Sequence, residues 1–125
     1  MANDRAATII IGGQEYELIL TTRATKEIAK RYGGLANLGD KLIQSENFEI
    51  ALDEIVWLIT LLTNQSIAIH NLQSRGEKKE LLTEETVELL TSPFDLAGYK
   101  DALTEALYKG TKREVQSEEK KSKNI

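Results

Sequence analysis

The sequence predicts an α+β fold, mainly helical. An N-terminal two-stranded β-hairpin leads into four or five packed helices, and a flexible C-terminal tail follows. Three observations predict it. A Gly-Gly pair divides two alternating apolar runs in TIIIGGQEYELIL, residues 8 to 20. A long segment from Phe48 to Gly76 repeats apolar residues at helical spacing. The end of the chain, TKREVQSEEKKSKNI, is charged and lacks an apolar stripe. One hairpin-plus-helical domain is expected over residues 1–111 and a disordered charged tail over 112–125.

Gly12 and Gly13 suit a type I′ turn, in which both central residues take positive φ. That turn sets the register. Ile11 faces Gln14, Ile10 faces Glu15, Ile9 faces Tyr16, Thr8 faces Glu17 and Ala7 faces Leu18. Side chains alternate along a strand. Ala7, Ile9, Ile11, Tyr16, Leu18 and Leu20 therefore share one face, which needs a cover. Thr8, Ile10, Glu15, Glu17 and Ile19 share the other, which can stay largely wet.

TTRATKEIAKRYGG reads as a short helix with Thr22 as its N-cap. Ala24, Ile28, Ala29 and Tyr32 lie toward one side, and Gly33-Gly34 end it. LANLGDKLIQSEN, residues 35 to 47, has room for one or two helical turns, broken near Gly39. In the long helix Phe48, Leu52, Ile55, Ile59, Leu62, Ser66 and Ile69 step by four and three. Ala51, Leu58, Leu61, Ala68 and Leu72 widen that surface. So broad an apolar surface belongs at the centre of a small domain. Four polar residues, Thr63 to Ser66, mark a place for the helix to pause. SRGEKKE is a charged link. Thr83 caps a helix that buries Val87, Leu89 and Leu90. Ser92-Pro93 starts another, since serine caps and proline fits the first turn. That helix carries Phe94, Ala97, Ala102, Leu103, Ala106 and Leu107, extended by Leu96 and Tyr99, and Gly110 is its expected end.

The 125 residues suffice for one modest core. There are 16 Lys and Arg against 20 Asp and Glu, a formal net charge of −4. That balance argues against a general nucleic-acid binder. Cysteine is absent, which removes disulfides and thiolate metal sites. MANDRAATII lacks a basic region followed by a long apolar stretch, so no signal peptide is expected. The most apolar run, IVWLITLL, is too short to span a bilayer.

Acid–base catalysis needs titratable groups in a defined concave site. The single histidine, His70, lies near the end of an apolar helix and reads as structural or surface. DKLIQSENFE lacks the spacing and the glycine of a calcium loop. No serine sits in a nucleophile-turn motif. The Gly-Gly pair lacks the pattern of a nucleotide loop. No enzyme activity, catalytic residue, metal site or cofactor is expected. The candidate chemistry is apolar contact. Ile10 and Ile19 on the wet face of the hairpin, with Tyr32 and Leu35 beside the end of the first helix, form a candidate protein interface. Weak self-association through that surface is one expectation. The short helix and the charged link before Thr83 are further contact candidates.

The order IIIGGQEYELILTTRATKEIAKRYGGLANL, residues 9 to 38, resembles the opening of tail assembly chaperones of long-tailed bacteriophages and prophages. In that family a strand, a glycine turn and a second strand lead into a helix that starts near Thr-Thr-Arg and ends near Tyr-Gly-Gly. A helical body and a loose charged tail follow. The resemblance implies a role in the host bacterial cytoplasm: binding the tape measure protein before the tail tube polymerises around it. It implies absence from the mature virion. It also implies that this chain is the short form, with a longer frameshifted form recruiting tail tube protein. The family brings no catalytic residues. A structural tail or connector component, and a small intracellular regulator, are the competing readings. Neither nucleic acid nor a membrane is an expected partner.

Overall fold

The structure, a computed structural model, describes the backbone of residues 5–34, 37–38 and 48–123, and the side chains of 5–34, 37–38 and 52–111. Strand β1, Ala6–Ile11, pairs antiparallel with β2, Gln14–Ile19. The register is the one the Gly-Gly turn dictates, from Ile11 opposite Gln14 to Ala6 opposite Ile19. Gly12 and Gly13 have φ of 58° and 81°, the pair of positive values that a type I′ turn needs.

Four helices follow among the described residues: α1 Thr22–Tyr32, α2 Phe48–Gln73, α3 Glu84–Leu90 and α4 Pro93–Lys123. The hairpin and the helices build one core. Ile9, Ile11 and Leu18 of the hairpin, Ala24 and Ile28 of α1, Ile55, Leu58, Ile59 and Leu62 of α2, and Leu103 and Ala106 of α4 are all buried in it. Val56 and Ile67, outside the expected stripe of α2, are buried, and Leu72, inside it, is exposed. Phe48 and Ala51 lie outside the described side chains. Leu52–Gln73 is long and apolar enough to cross a membrane by length and composition, but half of it is buried inside the protein. That is the pattern of a central core helix.

The N-cap of α1 is Thr21, one residue earlier than expected. Its backbone is extended, and its Oγ1 accepts from the Ala24 amide at 3.0 Å. The same hydroxyl donates to Gln65 Oε1 on α2 at 2.6 Å. That cross-helix bond is invisible in the local sequence and favours Thr21 over Thr22. Gly33, with φ of 86°, ends the helix by donating its amide to the Ala29 carbonyl. Ala29 itself is exposed.

Helix α2 does not pause at Thr63–Ser66. Ser66 bonds back to the Thr63 carbonyl. The side-chain amides of Gln65 and Asn64 reach the Thr21 hydroxyl and the Leu82 backbone. Asn64 and Asn71 act as a pair. Asn64 donates to the Leu82 carbonyl at 2.8 Å and accepts from the Leu82 amide at 2.7 Å. Asn71 does the same to Lys79, both bonds at 2.9 Å. Seven helical residues span about 10.5 Å, and three extended residues span about 10 Å. The two lengths match, so the link runs back along α2 as a strap clipped at two backbone positions.

Thr83 caps α3, accepting from the Thr86 amide. Val87 is buried, but Leu89 and Leu90 are 77% and 50% exposed, against expectation. With seven residues, α3 has room to bury one side only. Ser92 and Asp95 cap α4 reciprocally: the Asp95 amide donates to Ser92 Oγ, and the Ser92 amide donates to the Asp95 carboxylate.

The expected end at Gly110 is absent, and the backbone stays helical to Lys123. The expected tail from residue 112 therefore begins inside α4. One internal glycine costs a helix only about 1 kcal/mol, and the Lys, Arg, Glu and Gln that follow are good helix formers. Gly110 has another purpose. A Cβ there would stand 2.9 Å from Leu20 Cβ and 2.8 Å from Leu20 Cδ2, so its bare backbone lets α4 seat against the end of the hairpin.

Candidate protein-binding site

Helix α4 lies antiparallel along the outer edge of β1. Tyr99 OH donates to the Ile10 carbonyl, and Lys109 Nζ donates to the Ala6 carbonyl at 2.9 Å. Ile10 and Ala6 share the parity that turns carbonyls away from β2 in this hairpin. Ten helical residues cover about 15 Å and four strand residues about 14 Å, so the two bonds fall in step. Two of the three outward carbonyls of β1, those of Ile10 and Ala6, are thereby taken, which leaves little of that edge for a foreign strand. Burial raises the pKa of the Tyr99 phenol, and the nearby Asp95 carboxylate adds to that shift. The donor proton therefore stays on at neutral pH.

At the base of the hairpin Gly110 of α4 comes close against Leu20. At the tip α4 and the hairpin enclose an open groove of about 690 Å³. Ile10 and Glu15 form one wall, Phe94, Gly98 and Ala102 of α4 another, and Leu90 leans in from the end of α3. Leu90 also packs over Gly12, its Cδ1 only 3.1 Å from where a Cβ on that glycine would sit. Ile10 is 61% exposed and Phe94 87%. Apolar side chains so exposed on one groove make it the candidate interaction surface.

The four residues expected at an interface fare differently. Ile10 lies in the groove. Ile19 does not: it is 2% exposed, a core residue. Both sit on the same face of the hairpin, but Ile19 and its partner Ala6 are at the closed base, where Lys109 and Gly110 hold α4 down. Tyr32 is half-buried and engaged within the protein. Its hydroxyl donates to Glu54, which also pairs with Arg31 at 3.2 Å. Its ring meets Trp57 edge-on at 5.9 Å, and the Arg31 guanidinium lies 4.5 Å from the Trp57 ring centre. Burial pushes the Tyr32 phenol well above its ordinary value, reinforced by the Glu54 carboxylate and opposed by Arg31. Leu35 lies outside the described residues.

Phe94 belongs by sequence to the apolar set of its helix, yet it lies on the surface. The helix starting at Ser92-Pro93 carries apolar residues on adjoining faces. Leu96, Leu103 and Ala106 take the core face, which turns Phe94 outward. A signal was present: Phe94, Gly98 and Ala102 recur every four residues and make a second stripe, interrupted by glycine.

Among the described residues, no group of three or more His, Asp or Glu side chains is placed to hold a metal ion. His70 is exposed near the end of α2. Compared with family models, curated proteins and solved structures, the chain finds no match.

Proposed function

We propose that this chain is a tail assembly chaperone of a long-tailed bacteriophage or prophage. It binds the tape measure protein in the host cytoplasm and keeps it soluble until the tube grows around it. The observation that carries this reading is the open apolar groove at the hairpin tip, with Ile10, Leu90 and Phe94 held out to solvent by a well-packed body. The resemblance of residues 9–38 to the family supplies the biological setting.

The physics suits temporary protection. A tape measure chain is long and helical, and its apolar stripes would self-associate while it waits. Covering them removes apolar area from water. A small groove gives a modest affinity per copy, so several copies along one chain hold it while each still releases when the tube arrives. The longer form would add a contact to tail tube protein.

Co-expression with a tape measure protein of a long-tailed phage, taken from beside this gene where such a reading frame stands there, tests the proposal. The expected result is a soluble complex and a tape measure protein that precipitates without this chain. Mass spectrometry of finished virions should find the chain absent. Stoichiometric presence there would replace the chaperone reading with that of a structural tail or connector component.

A further inference from the structure

The first half of α4 contains a glycine that the fold does not require. Gly98 lies inside the helix, does not take positive φ, and a Cβ on it would meet no atom within 4 Å. Glycine there costs about 1 kcal/mol relative to alanine. Other glycines have internal reasons: positive φ at Gly12, Gly13 and Gly33, and the close approach of Leu20 at Gly110. Gly98 instead opens onto the groove, between Phe94 and Ala102. A missing Cβ on the wall of an open apolar groove lets another chain approach closely.

The surroundings indicate what approaches. An added β-strand needs free backbone groups along a sheet edge. On β1 the outward carbonyls of Ile10 and Ala6 already accept from Tyr99 and Lys109. A helix needs an apolar trough, and small residues where the axes cross bring it closer. The groove has both. Among the described residues its charged lining is Glu15 and Asp95, with no lysine or arginine. The complementary partner therefore carries positive charge beside its apolar stripe.

We propose that the groove binds one amphipathic helix of a partner protein. The apolar stripe of that helix lies on Ile10, Leu90 and Phe94, it crosses α4 at Gly98, and flanking Lys or Arg residues face Glu15 and Asp95. This rests on the reading that the chain binds a helical protein, and names the surface and the chemistry of the partner.

The test uses the full chain and two synthetic helical peptides with the same leucine stripe, one flanked by lysines and one by glutamates. Binding is read by fluorescence anisotropy. The lysine-flanked peptide should bind at least about tenfold more tightly than the other. Gly98→Leu, which fills space that no atom occupies, and Phe94→Ser should each weaken it about tenfold or more. Circular dichroism should show the fold intact in both variants. Glu15→Lys should weaken the lysine-flanked peptide and strengthen the glutamate-flanked one. Equal binding to Gly98→Leu and wild type, or no preference between peptides, would overturn the proposal. Failure of wild type to bind either peptide would do the same. Sedimentation velocity adds an arm: self-association of wild type that Gly98→Leu abolishes would assign the groove to a second copy and refute the partner helix. The tape measure protein separates this inference from the functional reading. If Gly98→Leu still solubilises it fully, the groove assignment fails and the chaperone role stands. If wild type never binds it but binds the lysine-flanked peptide through the groove, the chaperone role fails and the groove assignment stands.

Discussion

Two glycines in α4 should respond to alanine with opposite signs. Each replacement relieves the backbone of a helical glycine, a gain of about 1 kcal/mol at most. At Gly98 nothing opposes that gain, because the new methyl meets no atom within 4 Å. At Gly110 the methyl would stand 2.8 Å from Leu20 Cδ2, 2.9 Å from Leu20 Cβ and 3.2 Å from Leu20 Cγ. The terminal Cδ2 can swing aside. The Cβ cannot move without the backbone, and the next residue, Thr21, is tied to Ala24 and Gln65. Overpacking of this kind costs about 1–3 kcal/mol. The net effect at Gly110 is a loss of up to about 2 kcal/mol after the helix gain is subtracted. In thermal unfolding followed by circular dichroism, 1 kcal/mol corresponds to roughly 4 °C for a domain of this size. Gly98→Ala should melt above wild type and Gly110→Ala below it. If Gly110→Ala is stabilised as much as Gly98→Ala, α4 does not press on Leu20, and the reasoning about why that glycine stands there is wrong.

Ile10→Glu should leave stability within about 0.5 kcal/mol of wild type, since the side chain is largely exposed. Ile19→Glu should lose the fold or several kcal/mol, because it would bury an unpaired carboxylate; urea titrations of the two variants distinguish a tip residue from a core residue. Asn64→Ala should cost about 1–2 kcal/mol and speed exchange of the Leu82 amide, read by NMR, because both backbone groups of Leu82 lose a part-buried partner. Unchanged exchange at Leu82 would show that the strap is held some other way. Tyr32 has a raised pKa in the fold, so its stabilising contribution is complete below the unfolded value near about 10 and is lost as pH rises from there through the folded value. Urea midpoints between about pH 8 and about pH 11 should fall less steeply for Tyr32→Phe than for wild type. Identical slopes would mean that Tyr32 does not carry the alkaline loss.

Features set by a few neighbouring residues were legible in the chain. The Gly-Gly pair determined the turn and, through it, the register of the whole hairpin. Thr83 and Ser92-Pro93 determined where α3 and α4 start, since a cap is a bond to an amide two or three residues on. The 3.6-residue period from Leu52 onward determined that α2 would be the central helix. The candidate site was legible in one residue, Ile10.

What the tertiary structure decided was choice among locally equivalent options. Ile10 and Ile19 share a face by alternation, and only the packing at the base of the hairpin, where Lys109 bonds the Ala6 carbonyl and Gly110 meets Leu20, leaves Ile10 exposed and Ile19 buried. Helix α4 offers two apolar stripes, and its docking through Leu96, Leu103 and Ala106 sends Phe94 outward. Thr21 rather than Thr22 caps α1 because Gln65, distant in sequence, waits for its hydroxyl. Asn64 and Gln65 look like a helix break until the strap and the cap they bind are in place. Gly110 looks like a helix end until Leu20 is seen against it. Local sequence sets dihedral angles and short-range hydrogen bonds. Which face meets water depends on contacts between segments far apart in the chain, and those exist only once the chain has folded.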